Sequence, residues 1–131
     1  MIFYDGHCGL CHRAVKFVLK HDRPGGLFRF APLQGATFEA MVPGGQRARL
    51  ADSIVLLTAE GKTLVESDAF VHILRLLGGG WRILAGILMA VPRPLRDGLY
   101  GLIARTRYYI FGRREDWCPA VPPELRARFD P

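Results

Sequence analysis

Several features that are common in proteins are scarce in this chain of 131 residues. It has only three cysteines, an odd number and too few for the disulfide framework of a small secreted protein. No stretch reaches the roughly 18 consecutive apolar residues that a membrane-spanning helix needs, and the best run, residues 83–91, stops at Pro92. Lysine is rare, because 15 of the 18 basic residues are arginine, and these are spread along the chain. This spread argues against nucleic-acid binding, and we expect no nucleic-acid partner.

Hydrophobic residues make up 50% of the sequence, which is enough for a real core. We predict a single domain over residues 1–131. The first residues show no basic segment followed by an apolar stretch, so we expect no secretory signal and a cytoplasmic location. In that reducing compartment, closely spaced cysteines are more often catalytic or metal-binding than structural.

The order of apolar patterns and turn signals predicts an α/β fold. Predicted strands are residues 2–4, 27–33, 53–58 and 62–66. Predicted helices are a segment from Cys8 that ends by Pro24, then residues 68–77, 81–91 and 95–111, with a short helix near 37–41 and a short amphipathic segment over 124–129. Ser67 is the predicted N-cap of helix 68–77, whose apolar face includes Phe70. The pattern is a thioredoxin-like βαβ-ββα core over about residues 1–79, followed by a helical extension over about residues 80–131.

Two cysteines form the motif CGLC at residues 8–11, directly after the first strand and the turn at residues 5–6. At a helix N-terminus, unpaired N–H groups and the helix dipole stabilise an anion, so Cys8 would ionise more readily than a free thiol. Cys11 lies one turn further along the same face and can attack a mixed disulfide formed by Cys8. This context favours a redox dithiol that uses no organic cofactor.

The same residues leave two other chemistries open. With His12 the motif becomes the C-x-x-C-H of covalent haem attachment, which would need an export route and Met41 or Met89 as an axial ligand. The ligands of a zinc site would come from Cys8, Cys11, His7, His12, His21, His72 and Cys118. Since no second close pair of ligands follows at zinc-finger spacing, we predict no metal and keep a zinc-binding C-x-x-C site as an alternative.

In the redox interpretation, Cys8 is the attacking thiolate and Cys11 is the resolving thiol. Asp5 is either the acceptor of the Cys11 proton or a turn residue. His7 either raises the thiolate fraction of Cys8 when it is charged or lies exposed in the loop. Cys118 is either a third redox partner that the proline-rich tail brings near the dithiol or a small buried residue.

The last long helix carries a basic cluster at its end, composed of Arg105, Arg107, Arg113 and Arg114. The cluster is either a weak contact for a membrane surface or anionic partner, or surface charge that complements the helix dipole. The apolar stripe of this helix comprises Leu95, Leu99, Leu102, Ile103 and either Tyr109 or Ile110. We interpret the aromatic residues of this region as packing residues: Trp81, Tyr100, Tyr108, Tyr109 and Trp117.

Blocks along nearly the whole chain resemble the DCC family of predicted thiol-disulfide oxidoreductases, many of which are small bacterial proteins. The opening YDGHCGLC is similar to the family pattern D-G-x-C-x-x-C, and the later blocks are FRFAPLQG, DSIVLL, ESDAFVHILRLLGGGW, VPRPLRDGLYGLIARTRYYIFGR and CPAVPPELRARF. The resemblance implies a thioredoxin-like fold with Cys8 and Cys11 as the redox pair, and physiological substrates that are poorly defined. We expect a protein or small-molecule thiol or disulfide as substrate. The alternative is a thioredoxin-fold interaction module with little turnover.

One position departs from ordinary thioredoxins. Those proteins place a cis-proline just before the third strand, facing the dithiol, whereas this chain has Ser53 there. We therefore expect weaker docking of peptide substrates across this loop. The Ser53 hydroxyl is a candidate hydrogen-bond donor to a thiolate.

Overall fold

The computed structural model of the protein describes residues 1–22, 26–50, 54–113 and 122–131. The strands are β1 (Ile2–Tyr4), β2 (Phe30–Pro32), β3 (Val55–Leu57) and β4 (Thr63–Val65). The α-helices are α1 (Gly9–His21), α2 (Ala36–Met41), α3 (Gly44–Leu50), α4 (Glu66–Leu77), α5 (Gly79–Ala90) and α6 (Arg93–Phe111). A 3₁₀ helix over Pro123–Arg128 follows near the C-terminus.

The four strands form one mixed sheet in the order β2-β1-β3-β4. β1 runs parallel to β2 and antiparallel to β3, and β3 and β4 form an antiparallel hairpin. Because α1 connects the two parallel strands and α4 follows the hairpin, the architecture is βαβ-ββα. The predicted α/β class with a thioredoxin-like core is therefore confirmed. The single domain and its division near residue 79 stay predictions.

The central strand β1 is buried on both faces because successive side chains of a strand point to opposite sides. Ile2 and Tyr4 pack in a cluster that includes residues of α1 and α4. Phe3 packs on the other face with residues of α2 and α3. Each fully buried large side chain contributes about 1.5–3 kcal/mol. The dithiol belongs to the first cluster, so this core also fixes its position.

The segment around β2 differs from the prediction in length and in its helices. β2 covers only the last part of the predicted strand, because the Phe28 amide donates to the carboxylate of Asp22 at 3.4 Å instead of pairing in the sheet. The described residues between β2 and β3 form two short helices, where only one was predicted. Arg47 connects them, since its Nε donates to the Val42 carbonyl oxygen at 2.7 Å.

The start of α4 corrects the predicted helix cap. The helix begins one residue earlier than Ser67, with Val65 in the N-cap position and no side-chain cap. The Ser67 hydroxyl instead donates to the Asp97 carboxylate of α6. The predicted apolar face is also shifted, because Phe70 is exposed while Val71 is buried. The first turn of α4 therefore anchors the start of α6.

The two helices of the extension follow without a long loop. Gly78 has a φ of 71°, in the left-handed region that glycine adopts easily, so the chain turns directly from α4 into α5. The predicted apolar stripe of α6 exists, but it faces solvent rather than the core. The interpretation of Tyr109 as a packing residue is wrong, because its side chain is exposed. No helix within the described ranges is long and apolar enough to cross a membrane.

The C-terminal residues return to the edge of the sheet. The Phe129 ring stacks on Phe30 of β2 with centroids 5.2 Å apart. Arg128 forms an ion pair with the buried carboxylate of Asp22. The predicted amphipathic segment near 124–129 is thus a 3₁₀ helix held against β2.

Candidate functional site

The turn between β1 and α1 is fixed by a network of hydrogen bonds. The His7 amide donates to Asp5 Oδ1 at 3.0 Å, and the Cys8 amide donates to the Asp5 carbonyl oxygen at 3.2 Å. The Gly6 amide donates to Gln34 Oε1 at 3.2 Å. The buried His12 ring places Nε2 2.7 Å from the Gly6 carbonyl oxygen. These contacts set the point at which α1 begins and hence the position of the first thiol.

Cys8 occupies the N-cap position of α1, and its backbone has the extended conformation that a cap requires. Its Sγ accepts a hydrogen bond from the Cys11 amide at 3.5 Å. Both cysteines are free and buried. The predicted placement of the dithiol at a helix N-terminus, with the second thiol one turn later, is therefore confirmed.

The surroundings of the pair separate the pKa values of the two thiols. A hydrogen bond from the Cys11 thiol favours the Cys8 thiolate; burial opposes it, while the Cys11 amide, the charge of Arg107 and the Leu10 amide support it. The result lowers the pKa of Cys8 to about 6. The same hydrogen bond, burial and the charge of the Cys8 thiolate raise the pKa of Cys11. At neutral pH the site therefore holds one thiolate and one thiol.

Behind the dithiol, Asp5 lies in a buried cluster with two residues of α6. Its Oδ2 accepts a hydrogen bond from the Tyr108 hydroxyl and lies 3.6 Å from Arg107 Nη2. Its Oδ1 accepts from Gln34 Nε2 at 3.0 Å. Burial raises the pKa of Asp5, but these donors, the His7 amide and the Arg107 charge outweigh burial and lower it. Asp5 is thus a carboxylate that holds its neighbours in place.

Arg107 is the cation of the site. It is only 4% exposed, although it lies on a helix whose other face is open to solvent. Its guanidinium lies 4.8 Å from the centroid of the Tyr108 ring and donates to the Tyr108 hydroxyl at 3.3 Å. Its positive charge favours the ionised forms of Cys8 and Asp5. A permanent cation at this depth keeps a negative charge on the dithiol favourable.

The end of α6 covers the first thiol. Cys8 is 0% exposed and forms an isolated bridge with Arg113, and the Gly9 amide donates to the Gly112 carbonyl oxygen at 3.3 Å. A side chain at residue 9 would collide with the Phe111 carbonyl, so this close approach requires glycine. The structure is consequently closed over Cys8, whose sulfur has no contact with solvent.

The structure brings together some of the predicted site residues. Cys8, Cys11 and Asp5 lie in one buried cluster, and the half-buried His7 contributes its amide to Asp5. Ser53 and Cys118 lie outside the described residues, so their predicted roles stay predictions. Within the ranges that the structure describes, no three His, Cys, Asp or Glu side chains are arranged to hold a metal ion.

The predicted arginine cluster is divided between different environments. Arg107 is buried in the site, which corrects its assignment to a surface cluster. Arg113 is exposed and lies 4.8 Å from the centroid of the Tyr108 ring, and Arg105 is exposed. Arg114 lies outside the described residues.

Sequence reasoning missed three residues of the site: Gln34, Arg107 and Tyr108. The available signal was the helical position of Arg107, which shares one side of α6 with Tyr100 and Phe111 and lies opposite the leucine stripe. Because a helix usually packs its apolar stripe against the core, the opposite side that carries Arg107 is expected at the surface.

Comparison with known proteins finds sequences that are related to this chain over most of its length. The sequence profile of a family described as DCC1-like thiol-disulfide oxidoreductase matches residues 2–113. The chain is 36% identical over 132 residues to the uncharacterized protein YuxK of Bacillus subtilis (strain 168), with 100% of this chain and 93% of that protein covered. It is 33% identical over 115 residues to the DCC family protein At1g52590, chloroplastic, of Arabidopsis thaliana, with 88% of this chain and 66% of that protein covered. No solved structure matches the chain significantly.

Proposed function

The chain belongs to the DCC1-like thiol-disulfide oxidoreductase family, and on this premise we propose that it exchanges thiols and disulfides through Cys8 and Cys11. The observation that carries the proposal is the pair itself. Cys8 caps α1 and receives hydrogen bonds from the Cys11 amide and thiol, so one sulfur is stored as an anion beside a protonated partner. That is the resting state a dithiol needs to attack a disulfide.

In the first step the Cys8 thiolate attacks one sulfur of a substrate disulfide. A Cys8–substrate S–S bond forms, the substrate S–S bond breaks, and the other substrate sulfur leaves as a thiolate that takes a proton from solvent. Cys8 is the nucleophile because its pKa of about 6 leaves it mostly ionised at neutral pH. The closed cover over Cys8 makes access, rather than ionisation, the expected limit on this step.

In the second step the Cys11 thiol loses its proton and attacks Cys8 Sγ. The Cys8–Cys11 bond forms, the mixed disulfide breaks, and the second substrate sulfur leaves as a thiolate; the proton lost by Cys11 passes to solvent, and solvent protonates the leaving thiolate. The hydrogen bond to the Cys8 thiolate and the charge of that thiolate both raise the pKa of Cys11 in the resting state. Both influences disappear once Cys8 is part of the mixed disulfide, so the first step itself activates Cys11 for the second.

We also propose a role for Asp5 in this second step. The sequence left two roles open for Asp5, the acceptor of the Cys11 proton and a turn residue. Its lowered pKa makes it a weak base, and its contacts with Tyr108 and Arg107 support a positioning role more strongly. An Asp5→Asn variant separates the two. Loss of a base slows only the release of substrate from the mixed disulfide, whereas loss of positioning also destabilises the fold, because Tyr108 and Arg107 lose their buried carboxylate partner.

The cycle transfers two electrons from the protein dithiol to the substrate disulfide. An external thiol or dithiol must then reduce the Cys8–Cys11 bond, and the reverse direction needs an external disulfide. With the pKa of Cys8 at about 6, ionisation at neutral pH stabilises the reduced form by only about 1 kcal/mol, or a few tens of mV. This amount is too small to make the pair a strong oxidant by itself, so the partner decides the direction.

Reduction of insulin by dithiothreitol tests the proposal. We expect the wild-type chain and a Cys118→Ser control to accelerate the reduction, and a Cys8→Ser variant to give the uncatalysed rate. A Cys11→Ser variant should accumulate a mixed disulfide with substrate, visible by mass spectrometry. If the wild-type chain neither accelerates reduction nor forms a mixed disulfide, the exchange proposal is wrong, and the interaction-module alternative is favoured.

A further inference from the structure

The polarity of α6 is the reverse of that of an ordinary helix packed on a core. Its apolar residues recur at spacings of three and four, which places them on one side. That side faces solvent, with side chains 44–94% exposed. We call this surface the α6 apolar face, and it consists of Leu95, Leu99, Leu102, Ile103, Tyr109 and Ile110.

The orientation of α6 is set by polar contacts on its other side. Near its start, Asp97 accepts a hydrogen bond from Ser67 of α4. In its middle, the Tyr100 hydroxyl accepts from the Ile54 amide at 3.0 Å. Near its end, Arg107 and Tyr108 bind Asp5. Anchors along the whole helix mean that exposure of the apolar face is a fixed feature of the fold.

The neighbouring helix α5 extends the apolar surface. Ile83 and Ile87 are 69% and 60% exposed. Leu88 of α5 and Leu99 and Ile103 of α6 line one shallow apolar groove of about 150 Å³. Soluble proteins rarely leave so many large apolar side chains open to water unless the surface binds something.

The charge of this region points to the occupant. Residues 79–111 contain five arginines, but Arg93 and Arg96 pair with Asp68, and the buried Arg107 pairs with Asp5. Asp97, the one acidic residue of this range, also pairs with Arg93, which leaves Arg82 and Arg105 as the arginines of the range with no ion pair among the described residues. Arg82 and Arg105 are exposed on the same two helices as the apolar residues. A surface that combines open apolar side chains with unopposed arginines complements an anionic lipid headgroup layer above an acyl interior.

We propose that the α6 apolar face docks on the surface of an anionic phospholipid membrane, with the helix lying in the plane of the interface. Its 19 residues give a length of about 28 Å, and Tyr109 near its end has the amphipathic ring typical of membrane interfaces. A second copy of the chain fits less well, because a symmetric pair would bring like-charged arginines together. The membrane contact that was predicted for the arginine cluster is thereby reassigned to the α6 apolar face. Arg105 belongs to the predicted cluster and is also exposed on α6 beside this face.

Sedimentation with vesicles tests this proposal on the full chain. We expect binding to vesicles of phosphatidylglycerol and phosphatidylcholine, weaker binding in high salt, and little binding to phosphatidylcholine alone. The variant Leu99→Gln, Leu102→Gln, Ile103→Gln should bind at least roughly tenfold more weakly, because it removes apolar area that the interface would bury. The matched control is Leu27→Gln, Met41→Gln, whose side chains are similarly exposed outside α5 and α6, and it should bind like the wild type.

A charge variant and a measurement of oligomeric state complete the test, and neither depends on the reactivity of the dithiol. Arg82→Gln, Arg105→Gln leaves the apolar face intact and should lose most of the preference for anionic vesicles. Equal binding by the apolar-face variant and its control, or no binding by the wild type, would overturn the proposal. So would a concentration-dependent dimer in light scattering that the apolar-face variant abolishes while vesicle binding stays unchanged. Insulin reduction is measured without vesicles, so its failure leaves this result unaffected.

Discussion

The pH dependence of the reaction of Cys8 with a small aromatic disulfide is a direct consequence of the site. The structure lowers the pKa of Cys8 to about 6, compared with about 8.5 for an ordinary thiol. At neutral pH the thiolate fraction is then about 0.9 rather than ~0.03. Near pH 5.5 it is about 0.24 rather than ~0.001, a ratio of about 240.

A thiolate of low pKa is also a weaker nucleophile, and this reduces the advantage. With a Brønsted coefficient of about 0.45, the intrinsic reactivity falls ~13-fold over 2.5 pKa units. The expected gain over a free thiol is therefore about twofold at neutral pH and about 20-fold near pH 5.5. Enclosure of Cys8 lowers the rate at every pH, so the midpoint of the profile is the quantity to compare.

The assay uses a Cys118→Ser background, so that only the dithiol reports. We expect a midpoint near pH 6, set by Cys8, because the pKa of Cys11 is raised. Cys11→Ala removes the thiol hydrogen bond that contributes most to the low pKa of Cys8, so its midpoint should rise toward about 8.5. A wild-type midpoint above about pH 8, or one that Cys11→Ala leaves unchanged, would refute the electrostatic reasoning.

Three other predictions concern the same site. The pKa of Cys8 is lower in the folded than in the unfolded state, so the thiolate adds stability that is complete above about pH 8.5 and is lost as the pH falls through about 6. Urea unfolding of the reduced proteins should therefore show that the free energy of unfolding of the wild type, relative to Cys8→Ala, grows by up to about 3 kcal/mol as the pH rises across this range. A difference that does not change with pH would contradict this prediction. Arg107→Met should raise the midpoint of Cys8 and destabilise the fold by roughly 3 kcal/mol, because Asp5 stays buried without its ion pair, whereas the exposed Arg105→Met should do neither. Gly9→Ala should push the end of α6 away from Cys8, so that the small aromatic disulfide reacts faster with Cys8 while the Tm of the protein falls. The control is Gly98→Ala, where a methyl group meets open space, and it should leave the rate unchanged without lowering Tm.

The βαβ-ββα core could be predicted because its signals are local. Apolar periodicity marks strands and helices, and the turn before Cys8 places the dithiol at a helix start whatever the rest of the chain does. The details that failed depend on tertiary contacts. Ser67 has the composition of an N-cap, but a carboxylate from α6 uses its hydroxyl instead. The sequence around Phe28 is typical of a strand, but the Phe28 amide donates a hydrogen bond to the Asp22 carboxylate instead of pairing in the sheet.

The candidate site shows the same division more sharply. The relation between the two thiols was predictable, since they lie three residues apart in the sequence and one helical turn is enough to bring them together. The carboxylate of Asp5 meets Tyr108 across 103 residues of chain, and no local pattern encodes such a contact. The pKa of Cys8 depends in part on Arg107, which reads from the sequence as one of many arginines on a polar helix face.

The inverted polarity of α6 explains two differences from the sequence prediction together: its apolar stripe faces solvent, and Arg107 is buried. Sequence reasoning assumes that a helix buries its apolar stripe, because burial of apolar area is the main favourable contribution to folding. In α6 the inward side carries Asp97, Tyr100 and Arg107, each matched to a polar partner, so satisfied hydrogen bonds and an ion pair hold the helix in place. Apolar packing could not place a cation beside the dithiol, whereas this arrangement does. The leucine stripe is then left for a second apolar environment, which the vesicle experiment identifies or excludes.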